Sequence, residues 1–446
     1  MTKRPNLKYL SGAVALGGSL VLATALGVPT SSAAQRTSTV TYNVSPIAKL
    51  AVRTQGPTGS SWPYTPSQCV ANFGLACYTP SELRKGYNVP ASATGAGQTI
   101  VIVDAYGSPT IRQDLAVYDS EFGLPAPPAF NIIYPMGSPV YNPLQTHNET
   151  SWAEETSLDV EQAHGLAPAA TIDLVVAPNN YGSTLNNAVQ YAVSNHLGNT
   201  LSMSYGAPEA AFRGNNDQVS QAEATFKQGI GEHMSFFASS GDSGATEGES
   251  VPSALFPASS PYVTSVGGTN LFLADNGAYQ SETTWNDAEP GECPFGCAYG
   301  PFGATGGAPS VLFSAPSYQQ GVTGYTARTT SDVSFNASVY TATMIYLGFL
   351  GSANGFYFFG GTSEGAPSWS AITSLVNQAA GHALGAMNPR LYALYGTSAY
   401  SKDFHDITQG NNAFNGPGFN AGPGYDIPTG LGTPNVANLI KSLAGH

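Results

Sequence analysis

Gly360-Gly361-Thr362-Ser363-Glu364-Gly365-Ala366-Pro367 is the stretch that gives the rest of the chain its sense. An apolar, aromatic run, Gly355 to Phe359, leads into it, and a run with helical spacing, Ser368 to Ala380, leads out. A serine between a glycine-rich turn and the first turn of a helix suits a nucleophile. The glycines let a second backbone come close. The helix start offers free N–H groups and a positive dipole end, which favour a developing oxyanion. Pro367 fits a first helical turn, where a missing N–H costs nothing. A Gly-Ser turn capping an ordinary helix has the same outward form, so partners must be sought elsewhere.

Upstream, strand and helix patterns alternate. Gln98 to Ala105 (QTIVIVDA) is a continuous β-branched run, the mark of a buried parallel strand. Thr110 to Phe122 reads as helix and Phe130 to Tyr134 as strand. Ser151 and Glu154 form a capping box that predicts a helix to about His164. Strands follow at Thr171–Ala177, Thr200–Tyr205 and Ser235–Ser240, with helices at Thr184–Leu197 and Asp217–His233. This alternation predicts an α/β fold, a doubly wound, mostly parallel sheet flanked by helices. Residues 35–76 read as a short linker, wrapping arm or pro-segment, and residues 245–320 as loop-rich. Thr79 to Arg84 reads as a short capped helix, and another helix closes the chain at Pro434 to Ala444.

Residues 1–34 have the form of a secretion signal. Lys3, Arg4 and Lys8 precede an apolar run from Gly12 to Val28, and Ser32-Ala33-Ala34 is a small-residue cleavage site. Secretion to the extracellular space is therefore expected, a retained membrane anchor being the alternative. Ser338 to Gly360 is apolar but interrupted by polar residues and reads as buried core, so no membrane contact is expected after signal removal. Without the signal, 12 basic residues face 28 acidic ones, a net charge of −16. Such a chain, with no basic cluster, argues against nucleic acid and anionic membranes as partners. Cys69, Cys77, Cys293 and Cys297 form two local pairs, and disulfides suit a secreted chain. Three connectivities are possible, of which the local one is simplest.

A serine nucleophile needs a base. Glu155 and Asp159 are four apart on the predicted helix, hence on one face. Two close carboxyls cannot both ionise cheaply, so one keeps its proton and the pair works best in acid. Asp242 lies at the C-terminal end of a predicted strand, where α/β sheets place their sites. Held protonated, it can donate to an oxyanion. Surface acids and an Asx-turn would account for the same residues without chemistry. His164 reads as a helix C-terminal histidine. In the tail, Asp406-Ile407 and Gly422-Pro423-Gly424-Tyr425-Asp426 offer two carboxylates and free carbonyls, an all-oxygen set that suits calcium.

Together these motifs resemble the sedolisin family of secreted serine-carboxyl peptidases with a subtilisin-like fold. The resemblance runs from about Tyr78 to the C-terminus, with the domain placed at residues 77–446 and its calcium loop at 401–434. It rests on Glu155-Thr156-Ser157-Leu158-Asp159, Ser240-Gly241-Asp242-Ser243-Gly244, Gly361-Thr362-Ser363 with Pro367, and the tail residues above. It implies Ser363 as nucleophile, Glu155 as general base, Asp159 as its proton-sharing partner, and Asp242 with the Ser363 N–H as oxyanion hole. It implies one calcium ion held by the side chains of Asp406 and Asp426 and the carbonyls of Ile407, Gly422 and Gly424. The implied activity is acid endopeptidase, on protein or peptide substrates, as a monomer. A tripeptidyl-type exopeptidase, an inactive binding protein on this fold and, last, a glycosidase using Glu155 and Asp159 are the rivals. The chain departs from the family pattern twice. Only about 43 residues separate the signal from Tyr78, too few for the usual prodomain. Asp104 and Tyr205 stand where relatives often carry Glu and Trp.

Overall fold

Thr99–Ala105 lies inside an eight-stranded sheet. In spatial order the strands are Tyr279–Thr284, Val263–Leu273, Ser235–Ser239, Thr200–Met203, Thr99–Ala105, Thr171–Ala177 and Phe130–Ile133, with Val333–Asn336 also paired to Val263–Leu273. All these pairings are parallel except that of Tyr279–Thr284. The computed structural model describes residues 43–53, 62–139, 147–212, 216–288 and 294–445. The expected signal, residues 1–34, lies outside them.

The β-branched run is uninterrupted because both faces of the sheet are covered. Ile100 and Ile102 pack into one apolar cluster with Leu158, Trp369 and Ile372. Val101, Val103 and Ala105 pack into a second with Leu185, Val189 and Phe226. Each such buried side chain contributes roughly 1.5–3 kcal/mol. The expected doubly wound, subtilisin-like α/β fold is the one observed.

A second sheet carries the serine. Its strands are Lys49–Arg53, Gly355–Gly360, Thr341–Leu347 and Ala76–Tyr78. Gly355–Gly360 runs into a 3-10 turn, Thr362–Glu364, and then into helix Gly365–Ala380. The Cys69–Cys77 disulfide ties helix Pro66–Phe73 to the edge of this sheet. Cys297 is also disulfide-bonded; its expected partner, Cys293, lies outside the described residues.

Four expectations change. The acid-bearing helix spans His147–Leu166, so Ser151 sits inside it and not at its N-cap. Its first turn is polar and lacks the apolar spacing that signals a helix. The expected strand Thr200–Tyr205 breaks at Ser204, and Tyr205–Pro208 joins Ser45–Pro46 and Leu255–Phe256 in a three-stranded sheet. The supposedly loop-rich 245–320 contains the eleven-residue strand Val263–Leu273. Gly267-Gly268 disguises it, because glycine ordinarily weakens a strand. Here close packing explains the pair: a Cβ at Gly267 would lie 2.5 Å from the Pro428 carbonyl oxygen. Within 35–76, described residues form strands Ser45–Pro46 and Lys49–Arg53 and helix Pro66–Phe73.

Candidate active site

Gly361 has φ +103, and a Cβ there would meet Asp242 Oδ2 at 2.5 Å and the Ile47 carbonyl oxygen at 3.0 Å. Only glycine fits this backbone and this space. The residue thus lets three distant segments meet beside Ser363. Asp242 arrives from the end of strand Ser235–Ser239, and its Oδ1 accepts from the Thr362 N–H (2.7 Å) and hydroxyl (2.8 Å). Glu155 and Asp159 arrive one turn apart on the His147–Leu166 helix, both fully buried. Asp159 Oδ1 accepts from the Ser204 hydroxyl at 2.7 Å, and that hydroxyl lies 3.3 Å from the Ser363 carbonyl oxygen.

The third segment is Asn43–Arg53, which crosses the site as a strap. Ser45 and Pro46 pair antiparallel with Gly206 and Tyr205. Lys49 and Leu50 pair antiparallel with Gly360 and Phe359. Between the two pairings the N–H groups of Ile47 and Ala48 both donate to Glu155 Oε2, each at 2.7 Å. A cavity of about 290 Å³ opens beside the strap, walled by Gly206, Ala207, Asp242, Glu247 and Leu255.

Several polar atoms are held ready rather than satisfied. Ser363 Oγ, Glu155 Oε1, Asp159 Oδ2, Asp242 Oδ2 and both carboxyl oxygens of Asp104 have no hydrogen bond of standard geometry. Burial pushes Glu155 well above the usual carboxyl range; the Ser363 hydroxyl and the strap N–H groups oppose the rise, and Asp104 adds to it. Burial, then the charges of Asp104 and Glu155, push Asp159 up as well. Burial lifts Asp242 to about 7 against the opposing charge of Lys49, and Asp104 to about 7. These carboxyls therefore hold protons in acid. A serine, two buried carboxyls one helical turn apart and a third carboxyl able to donate make a site suited to acyl transfer.

Asp104 thus acts electrostatically on the acid pair, while Tyr205 packs against Trp152, ring centres 5.9 Å apart. Ser204, Trp152 and the strap residues Ile47 and Ala48 carry no local motif that sequence could reveal, and Thr362 stands in the quoted motif without a role. His164 serves elsewhere: buried, its Nε2 lies 2.9 Å from Asp119.

The tail residues also converge. Asp406 Oδ2 accepts from the Gly424 N–H (2.9 Å) and Asp426 Oδ2 from the Gly422 N–H (3.0 Å). Burial lifts Asp426 to about 7, and the neighbouring Asp406 adds to the rise. Among the described residues no group of three or more His, Cys, Asp or Glu side chains could hold a metal. The expected set has two acid side chains only, the remainder being carbonyls of Ile407, Gly422 and Gly424. The Asp406 and Asp426 carboxyls are near enough to act on each other electrostatically, and oxygen donors of this kind suit a hard cation.

No family model matches the chain. It is 33% identical over 380 residues to kumamolisin of Bacillus sp. (strain MN-32), covering 82% of this chain and 63% of that protein. It is 30% identical over 378 residues to sedolisin of Pseudomonas sp. (strain 101), covering 83% and 62%. Tripeptidyl-peptidase 1 of Rattus norvegicus is 26% identical over 398 residues, covering 82% and 64%. The solved structure of Pseudomonas sedolisin, a serine-carboxyl proteinase complexed with two molecules of pseudo-iodotyrostatin, superposes with a TM-score of 0.72 at 28% identity. That match covers 83% of this chain and 99% of the solved one. The chain belongs to the sedolisin family. It spans about three-fifths of the length of the curated relatives it matches.

Proposed function

We propose that the chain is a secreted, acid-active serine-carboxyl endopeptidase. The observation that carries this is the Ile47–Ala48 peptide. It lies between two antiparallel pairings, with the Ile47 and Ala48 N–H groups on Glu155 and the Ile47 carbonyl, like Asp242 Oδ2, packed against Gly361. Extended polypeptide is thereby accommodated on both sides of the serine. Ser363 Oγ gives its proton to Glu155 and attacks the carbonyl carbon. Protonated Asp242 and the Ser363 N–H stabilise the oxyanion. Glu155 then passes the proton to the departing nitrogen, and water repeats the sequence on the acyl-enzyme. Asp159 shares the proton of the pair, and Ser204 holds it in place.

Endopeptidase action is favoured because the cleft continues past the third residue upstream. Asn43, five positions back from the bond, bridges to Tyr181, and the Val44 N–H donates to the Asn180 carbonyl at 2.9 Å. Digestion of a denatured protein from about pH 3 to 7, with products sized by mass spectrometry, tests this. Fragments of varied length are expected; a ladder of tripeptides would replace the endopeptidase by an exopeptidase, and no digestion would end the peptidase reading. One structural calcium is assigned to Asp406 and Asp426 with the carbonyls of Ile407, Gly422 and Gly424. No described helix is long and apolar enough to cross a membrane. A monomer acting on proteins or peptides is proposed.

A further inference from the structure

The strap is held unequally at its two ends. Upstream of Ile47–Ala48, its attachments among the described residues are the two residue pairs to Gly206 and Tyr205 and the contacts of Asn43 and Val44. Downstream, Lys49–Arg53 is the fourth strand of the sheet that carries the serine, paired from Gly360 to Tyr357. It is joined by eight residues to Trp62, whose ring lies 5.4 Å from that of Phe356 on the same strand. Cys69–Cys77 then fastens the chain again. A cut at Ile47–Ala48 would leave the upstream piece held by non-covalent contacts alone. The downstream piece would remain covalently attached.

We propose that Ala48–Arg53 stays in the leaving-group side of the cleft after Ile47–Ala48 is cut, and makes the enzyme selective for substrates with short leaving groups. This rests on the peptidase reading. The cut is balanced as follows. Ser363 Oγ bonds to the Ile47 carbonyl carbon, and the bond to the Ala48 nitrogen breaks. That nitrogen takes the proton relayed by Glu155. Water then hydrolyses the ester, leaving an Ile47 carboxylate and a free amine on Ala48. The upstream fragment diffuses away and opens the side lined by Gly206 and Tyr205. The downstream strand is tethered by a short link, which gives it an effective concentration of millimolar order. Any substrate with several residues beyond its scissile bond must displace that strand from Gly355–Gly360. A substrate with a single small leaving group need not.

Two probes separate these cases. One is the peptide Asn-Val-Ser-Pro-Ile carrying a 4-nitroanilide; the other continues the same peptide with Ala-Lys-Leu-Ala-Val and carries a fluorophore and quencher. Both are assayed with the self-processed wild type and with Leu50→Pro/Ala51→Pro. Adjacent prolines remove the one N–H of the two that faces the sheet. The expected result is a ratio of KM (extended) to KM (anilide) that falls about tenfold or more in the variant. The mature wild type is expected to begin at Ala48 by N-terminal sequencing and to keep residues 48–53. A mature chain starting beyond Arg53, or an unchanged KM ratio, overturns the proposal. Should the variant fail to fold, the mature N-terminus decides alone. If the wild type cuts neither probe, the reading of the site itself fails and this inference with it.

Discussion

Asp332 and the acids around Ser363 are equally buried, and the molecule treats them in opposite ways. Asp332 sits against Arg328, both fully buried, and accepts further bonds from Ser265 N–H (2.8 Å), Tyr392 hydroxyl (2.8 Å) and Asn388 Nδ2 (3.2 Å). Its charge is matched and both its oxygens are used. Glu155, Asp159 and Asp242 each keep an oxygen with no hydrogen bond of standard geometry, and Asp104 keeps two. Among the described residues none of them forms an ion pair. A buried charge with a cation and a full set of donors is scaffold, costly to break and inert. A buried carboxyl left short of donors keeps its proton, and that proton is available for chemistry.

The contrast can be broken from either side. Glu155→Gln removes the proton acceptor and should lower kcat by about 10²–10⁴-fold. Glu154→Gln, on the preceding residue of the same helix, should leave kcat within about twofold, since the proposed mechanism gives the general acid–base work to Glu155. The reverse ranking in steady-state assays would show that the wrong glutamate was chosen. Asp242→Ala should cost about 10²–10³-fold in kcat, the value of one oxyanion donor. Asp242→Asn keeps an N–H donor and should cost less. It should also change the pH profile in a defined direction. Asp242 is raised to about 7, so the wild type has its donor below that pH and loses it as pH rises through it. The amide does not titrate, and the alkaline limb of Asp242→Asn should move upward.

Arg328→Met attacks the scaffold side. Leaving Asp332 buried and unpaired should cost about 3–5 kcal/mol by denaturant titration, with kcat per folded molecule unchanged. The free acids have a stability signature too. Asp104 and Asp242 are each raised by burial to about 7. Raised acids stabilise the fold fully below their unfolded values near 4, and that contribution is lost as pH rises towards 7. The melting temperature should therefore fall between about pH 4 and 7; a rise over that window would contradict the assignment. The smallest effect concerns the tail: chelation of calcium should lower the melting temperature by about 2–5 °C. An unchanged curve would speak against a cation at Asp406 and Asp426.

The same two kinds of acid explain what could be read from sequence. Thr99–Ala105 was legible because a strand covered on both faces must be apolar throughout. Glu155 and Asp159 were legible as a pair because helical spacing puts them on one face. Their burial was not, since it depends on contacts made across the fold. Ile47 reaches Glu155 across 108 positions, and no local pattern announces such a contact. Val263–Leu273 stayed hidden because Gly267 and Gly268 serve close packing rather than strand propensity. The scaffold ion pair likewise has no local signature beyond the spacing of Arg328 and Asp332.

Ser363 is where every group in the cleft meets, so it carries the most direct test. Purified wild type and Ser363→Ala should be incubated with denatured haemoglobin at about pH 4, near the carboxyl range, with new amino termini counted over time. The wild type should generate them steadily, and the variant, equally folded by circular dichroism, should fall by more than about 10⁴-fold. Equal rates from the two proteins would contradict the assignment of the serine and of the cleft built around it.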